Sequence, residues 1–309
     1  MTVNSTEYEN STNELNETRR LMPTGIVIFL SGLDICLSIT ASLGNTLIII
    51  ALQKVSSIHP PTKLLFQNQA VMDLCVGLIV QPLHAAITII MGSTARLDPN
   101  IEYYVVTTYQ VVNYIAGGAS LVSPAAISID RLLALRLGLR YRHIVTLKRA
   151  RVVVCCTWLT GLTGALMYLT LGERITLPMI VVMLIICGST ANFCYTRIFY
   201  RLRQHQARVH DQQGQSNGTR IPLNIKKYKN TVSSMAWVQF VLVLTLVPFI
   251  IVVVIIQITG ANKDSLLLIT ATVTVLYSNS SLNPFLYCWK IGEVRKAVKD
   301  IVRNFFCRS

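Results

Sequence analysis

Charge is scarce in this sequence. Only 14% of its 309 residues are charged and 52% are hydrophobic, whereas a soluble domain carries roughly a quarter charged residues. That excludes the pair of soluble domains that the length alone would allow. Acid is scarcer still, with 14 Asp and Glu against 28 Lys and Arg. The sequence has no metal-ligand spacing of Cys and His and no nucleophile elbow, so it does not read as an enzyme. It has no internal repeat and no pore motif, which argues against a secondary transporter, the main rival class, and against a channel.

What the chain has instead is long apolar runs. Seven are long enough to cross a bilayer, which takes roughly 20 residues each: 25–52, 64–91, 104–129, 152–171, 175–200, 232–259 and 266–289. The fourth and fifth are parted only by Leu171-Gly172-Glu173-Arg174, which predicts a tight turn. The expected fold is an all-α membrane protein, a seven-transmembrane helix bundle over 25–289. With seven spans the connecting segments alternate sides. One side, which includes the tail, holds most of the basic residues, among them Lys63, Arg136, Arg149, Arg201, Lys227 and Lys296. The other holds only Arg19, Arg20, Arg96, Arg174 and Lys263. This asymmetry predicts an extracellular amino terminus and a cytoplasmic carboxyl terminus. It accounts for the +14 net charge without nucleic acid.

Residues 1–24 read as a disordered extracellular head, with glycosylation acceptors at Asn4, Asn10 and Asn16. The like tripeptide at Asn217 falls on the cytoplasmic side and is discounted. In the tail, 290–309, Val294, Val298, Ile301 and Phe305 recur at helical spacing opposite Arg295, Lys296, Lys299 and Arg303. That predicts a short amphipathic helix on the anionic inner leaflet of the bilayer, followed by Cys307 as a candidate palmitoylation site. The other cysteines, Cys36, Cys75, Cys155, Cys156, Cys187, Cys194 and Cys288, lie inside the runs. No disulfide is therefore expected.

The seventh run is polar where lipid tolerates polarity least, in Asn279-Ser280-Ser281-Leu282-Asn283-Pro284-Phe285-Leu286-Tyr287. Pro284 removes a backbone donor and frees a carbonyl. That carbonyl and the Asn side chains need partners on neighbouring helices. Candidates stand in other runs: Asn45 in the first, Asp73 in the second, Ser120 and Ser123 in the third. Asp73 alone costs roughly 2.5–3.5 kcal/mol at the centre of a membrane helix. Asp34 is placed nearer the outer end of its helix. A purely structural network stitching the helices together would use the same residues. At the inner end of the third run stand Asp130 and Arg131. Adjacent residues on a helix do not face each other, so Arg131 is expected to point to the cytoplasmic mouth of the bundle.

Asn45, Asp73, Asp130-Arg131, Trp158, Tyr195, Pro248 and Asn283-Pro284-Phe285-Leu286-Tyr287 fall in the order and spans of a known family. The chain thus resembles the rhodopsin-like (class A) G-protein-coupled receptors from 25 to 307. The resemblance implies a receptor in the plasma membrane that passes an extracellular ligand signal to a heterotrimeric G protein. It implies that Arg131 engages the G protein and is held inactive by Asp130. Tyr195 and Tyr287 would swing inward, with Pro248 as the hinge of the sixth helix. It implies a sodium pocket of Asp73, Ser120, Asn279, Ser280 and Asn283, and a ligand pocket of Gln110, Asn113, Tyr114, Gly117, Leu246, Phe249 and Tyr277.

The chain departs from the family pattern at several points. Leu132 replaces the usual Tyr, Cys187 replaces a Pro in the fifth helix, and Leu246 stands where a Trp switch is usual. The Cys pair of the outer disulfide is absent, and Pro124 predicts a kink near Ser120. A very short second outer loop, no disulfide and no fifth-helix Pro resemble the melanocortin, cannabinoid, lysophospholipid and adenosine receptors. Leu83 and Gln110 stand where melanocortin receptors carry acids. Asn113 stands where amine receptors carry an Asp, which disfavours an amine ligand. No Lys occurs in 266–289, which excludes retinal bound as a Schiff base. The pocket so read is mostly neutral and suits a neutral small molecule, a lipid or a peptide. Because Leu246 removes a common switch, a non-signalling or constitutively active protein is the alternative function.

Overall fold

The computed structural model describes residues 23–93, 98–213, 223–260, 262–290 and 292–306. It is all-α, and seven helices are long and apolar enough to cross a membrane. The head sequons and Cys307 lie outside the described residues.

Each helix begins and ends where local chemistry dictates. Helix α1 (Thr24–Lys54) ends in carbonyls met by Lys63, whose Nζ donates to Gln53 O at 3.2 Å and Val55 O at 2.9 Å. A lysine there also complements the negative end of the helix dipole. Helix α2 (Pro60–Gly92) starts on two prolines, which the first turn tolerates because its N–H groups have no helical acceptor. A π-helical turn at Val76–Val80 precedes Gln81-Pro82, and this wider turn accommodates the proline ring inside the span. Helix α3 (Pro99–Leu137) opens on Asp98, whose side chain accepts from Asn100 N at 2.9 Å. It contains a second π-helical turn, Asn113–Gly117. Beyond it, winding is regular through Pro124 to Leu137, so the irregularity lies outward of the kink predicted near Ser120.

Helix α4 (Leu147–Leu171) and helix α5 (Glu173–Gln213) are joined by Gly172 alone. Its φ of 76° is one that glycine adopts without strain, and the tight turn read from the sequence is formed there. Helix α6 (Leu223–Thr259) ends at Gly260, φ 80°. Helix α7 (Lys263–Lys290) starts on a reciprocal cap. Asn262 Oδ1 accepts from Ser265 N at 2.8 Å, and Ser265 Oγ accepts from Asn262 N at 2.7 Å. Helix α8 (Gly292–Phe306) buries Val294 against α1 and α7 and exposes Arg295, Lys296, Lys299 and Arg303.

Helix α7 packs between α1 and α6, and α3 touches α2, α4, α5 and α6. The outer faces carry exposed Phe29, Leu43, Leu78, Leu166, Ile186, Leu244 and Phe285. The interior holds Asp34, Asn45, Gln69, Asp73, Gln81, Asn279 and Asn283. Apolar outside and polar inside is the arrangement lipid selects, since buried polar groups find partners only within the bundle.

Candidate functional site

Asp73 lies at the centre of the bundle and is wholly buried. Its Oδ1 accepts from Ser120 Oγ at 2.6 Å and from Ser280 Oγ at 2.9 Å. Its Oδ2 accepts from Asn283 Nδ2 at 2.7 Å and from Gln69 Nε2 at 3.1 Å. Four donors from α2, α3 and α7 thus surround one carboxylate. Ser120 stays in reach because the helix does not break there. Gln69 was not singled out from the sequence. The available signal was its place one turn before Asp73 on the same helix face.

Two prolines complete this centre from the backbone. Pro284 leaves the carbonyl of Ser280 without its helical donor, and Asn45 Nδ2 fills the gap at 3.0 Å. Pro124 likewise leaves the carbonyl of Ser120 without one, and Gln69 Nε2 faces it at 3.4 Å. The Pro284 ring sits against Gly44, where an added Cβ would lie 2.8 Å from Cγ. Asn279 is buried beside this group. Oδ1 of Asn45, Asn279 and Asn283 and Oγ of Ser123 have no hydrogen-bond partner in the structure.

Near the carboxyl-terminal end of α3, Arg131 folds back onto Asp130, with Nε 3.1 Å from Oδ2 and the guanidinium paired with the same oxygen. The expectation that these neighbours face apart is wrong. The long, flexible arginine stem lets its planar head return to the carboxylate. Thr62 takes a further bond from Arg131 and donates to Asp130 Oδ2 at 3.0 Å. Tyr141 donates to Asp130 Oδ1 at 2.6 Å. Neither Thr62 nor Tyr141 carried a sequence signal, because both approach the pair from outside α3, Thr62 from α2 and Tyr141 from the short helical turn Tyr141–Ile144. Tyr287 is buried against Phe66, ring centroids 5.6 Å apart, and Tyr195 packs between two apolar clusters. Trp158 Nε1 donates to Asn68 Oδ1 at 3.0 Å, tying α4 to α2.

The ligand-pocket positions divide into three groups. Asn113 Oδ1 accepts from Tyr277 OH at 3.0 Å, and Tyr277 OH also meets Tyr109 OH at 2.9 Å. A Cβ at Gly117 would lie 2.7 Å from Asn113 Oδ1, so glycine makes room for that side chain. Gln110 Nε2 reaches Glu173 Oε1 at the exposed rim, 3.4 Å, and Tyr114 packs on Tyr168. Leu246 and Phe249 are apart from these, buried in an apolar cluster with Val181, Leu184 and Leu276. Leu246 also lines a small apolar recess with Leu121, Cys187 and Leu242 between α3, α5 and α6. Pro248 lies in α6 between them.

One polar group was underrated from the sequence. Asp34 is as deeply buried as Asp73. Its Oδ2 lies 2.9 Å from His84 Nδ1 and accepts from Thr274 Oγ1 at 3.1 Å. His84 is enclosed by the rings of Tyr109 and Tyr277, at 5.7 and 5.3 Å.

Comparison with known proteins gives one family match. The profile described as 7 transmembrane receptor (rhodopsin family) matches residues 44–178 and 171–287. Among curated proteins, the chain is 25% identical to human adenosine receptor A2a, over 89% of this chain and 72% of that protein. It is 24% identical to Bos taurus adenosine receptor A3, over 87% of this chain and 88% of that protein. It is 23% identical to Danio rerio melanocortin receptor 4, over 86% of this chain and 81% of that protein.

Proposed function

Since the chain belongs to the rhodopsin family of seven-transmembrane receptors, we propose that it carries an extracellular ligand signal across the plasma membrane to a heterotrimeric G protein. The observation that supports this best is the closed cluster of Asp130, Arg131, Thr62 and Tyr141 at the inner end of α3. It holds a cation ready at the cytoplasmic mouth, bonded to its neighbour Asp130 and to Thr62 of α2, which a modest helix movement would withdraw. Opening would release Arg131 to the G protein. Tyr195 and Tyr287 would move toward it, and α6 would turn about Pro248. The ligand would act from the outer half, through Gln110, Asn113, Tyr114, Gly117 and Tyr277. Leu246 and Phe249 would feel it through the packing of α5 on α6. Nucleotide exchange on purified G protein, with membranes carrying the full chain or its Arg131→Ala variant, tests the reading. The variant should lose exchange that the parent supports. Equal exchange by both would overturn it.

The topology belongs to the same proposal. The glycosylated head, 1–24, is outside, and 290–309 is inside, with the basic face of α8 on the anionic leaflet and Cys307 palmitoylated beyond it. The adenosine and melanocortin likenesses support placing the chain near that group of receptors.

The Asp73 centre would also hold a sodium ion. The Asp73 carboxylate and the residues around it carry hard oxygens, which such a cation requires as ligands. The unpartnered Oδ1 of Asn279 and of Asn283, together with the hydroxyls of Ser120 and Ser280, fit the group chemically. A cation there would neutralise a buried carboxylate and favour the packing in which those oxygens converge.

A further inference from the structure

We propose that Asp34, with His84 as its resting partner, forms the charge-reading end of the ligand pocket, and that the ligand brings a cationic nitrogen, an ammonium or guanidinium, to its carboxylate. The inference rests on the reading of this chain as a ligand-driven receptor and names the chemistry of its ligand.

The buried carboxylate is incomplete. Asp34 Oδ2 has two partners, but Oδ1, equally buried, has none. One turn inward of His84 on α2, Gln81 is also wholly buried, with neither end of its amide bonded. A structural latch would close these valences, because each buried polar group left unmade costs roughly 1–3 kcal/mol. The open atoms call for an occupant that donates to a carboxylate.

Electrostatics selects a cation. Among the described residues no lysine or arginine pairs with Asp34, and His84 is its one basic neighbour. A carboxylate out of water gains far more from a positive charge than an exposed one does. The rings of Tyr109 and Tyr277 lie 5.7 and 5.3 Å from the His84 ring, so aromatic side chains border the pair. Tyr277 carries the contact on to Asn113 in the pocket, and Glu173 adds a second acid at the rim beside Gln110. The neutral Asn113 therefore does not make the pocket neutral.

The test measures thermal unfolding of the detergent-purified full chain, without G protein. The probes are phenethylammonium and its neutral isostere phenethyl alcohol, at matched ionic strength. At ten times its Kd the amine should raise Tm by roughly 3 °C, and the alcohol should not. Asp34→Asn should abolish the shift, and Asp300→Asn, at a half-exposed acid of α8, should keep it. Should Asp34→Asn not fold, His84→Gln decides: it removes the base that competes for Asp34, so the shift at the same amine concentration should grow. Equal stabilisation by alcohol and amine, no stabilisation by the amine, a shift retained in Asp34→Asn, or a shift unchanged or lost in His84→Gln would each overturn the proposal. Because coupling is not measured, failure here leaves the receptor reading intact, and failure of coupling leaves this result intact.

Discussion

Asn45 donates its side-chain amide to the carbonyl of Ser280 at 3.0 Å. That carbonyl lacks a helical donor because the residue four positions on is Pro284. The kinked stretch of α7 is thereby pinned to α1 through a bond that exists only because of the proline.

That relationship predicts a coupled pair. Asn45→Ala should destabilise the chain by about 1–3 kcal/mol, the cost of an unmet buried carbonyl. In a Pro284→Ala background the helix regains its own N–H for Ser280, so the same substitution should cost much less. Thermal unfolding of the four variants gives the coupling energy. Equal costs in both backgrounds would show that the bond contributes nothing.

Gly161 should tolerate no side chain. A Cβ there would lie 2.4 Å from the carbonyl oxygen of Ile115, and a backbone atom inside a packed helix cannot give way. Gly161→Ala should part α3 from α4 and lower Tm by several degrees. Gly32→Ala, with nothing within 4 Å of its added Cβ, should be neutral or stabilising. Melting curves that rank the two the other way would refute this packing.

Loosening the inner cluster should raise basal signalling. Asp130→Asn removes the charge facing Arg131, and Tyr141→Phe removes a 2.6 Å bond to Asp130. Both should increase ligand-independent nucleotide exchange, the first more than the second. Surface labelling should be unchanged. Basal exchange at or below the parent level in both would mean that the cluster does not restrain Arg131.

Sodium should weaken agonist binding. With sodium replaced by a large organic cation at constant ionic strength, agonist affinity should rise in the parent and stay flat in Asp73→Asn. The change is bounded by the differential affinity of sodium for the two packings. Identical agonist affinity in the two salts would leave Asp73 as a structural centre.

Orientation is checked with tags. One before Met1 should label on intact cells, and one after Ser309 only after permeabilisation. Enzymatic deglycosylation should shift the gel band through Asn4, Asn10 and Asn16. A carboxyl-terminal tag reached on intact cells would reverse the charge argument.

By itself, the sequence determined what local chemistry controls. Lipid forces every backbone group into an internal bond, so run length set the seven helices, and Gly172 set the turn between α4 and α5. The need created by Pro284 was equally local, and few residue types can meet it at that depth, so Asn45 stood out beforehand. Residue type and depth also singled out Asp73, Ser120, Ser280 and Asn283, and the structure places the last three within hydrogen-bond reach of the Asp73 carboxylate. Only the tertiary structure decided which face of each helix turns inward. The outer faces here are as apolar as a core, so periodicity does not mark the buried side. The phase is fixed by contacts with neighbouring helices. That is why the spacing of Gln69 from Asp73 was legible but its reach to Ser120 on α3 was not. Asp34 read as an outer-end acid until α1 was set against His84 and Thr274. Arg131 was expected at the open mouth until Thr62 and Tyr141 were seen closing over it.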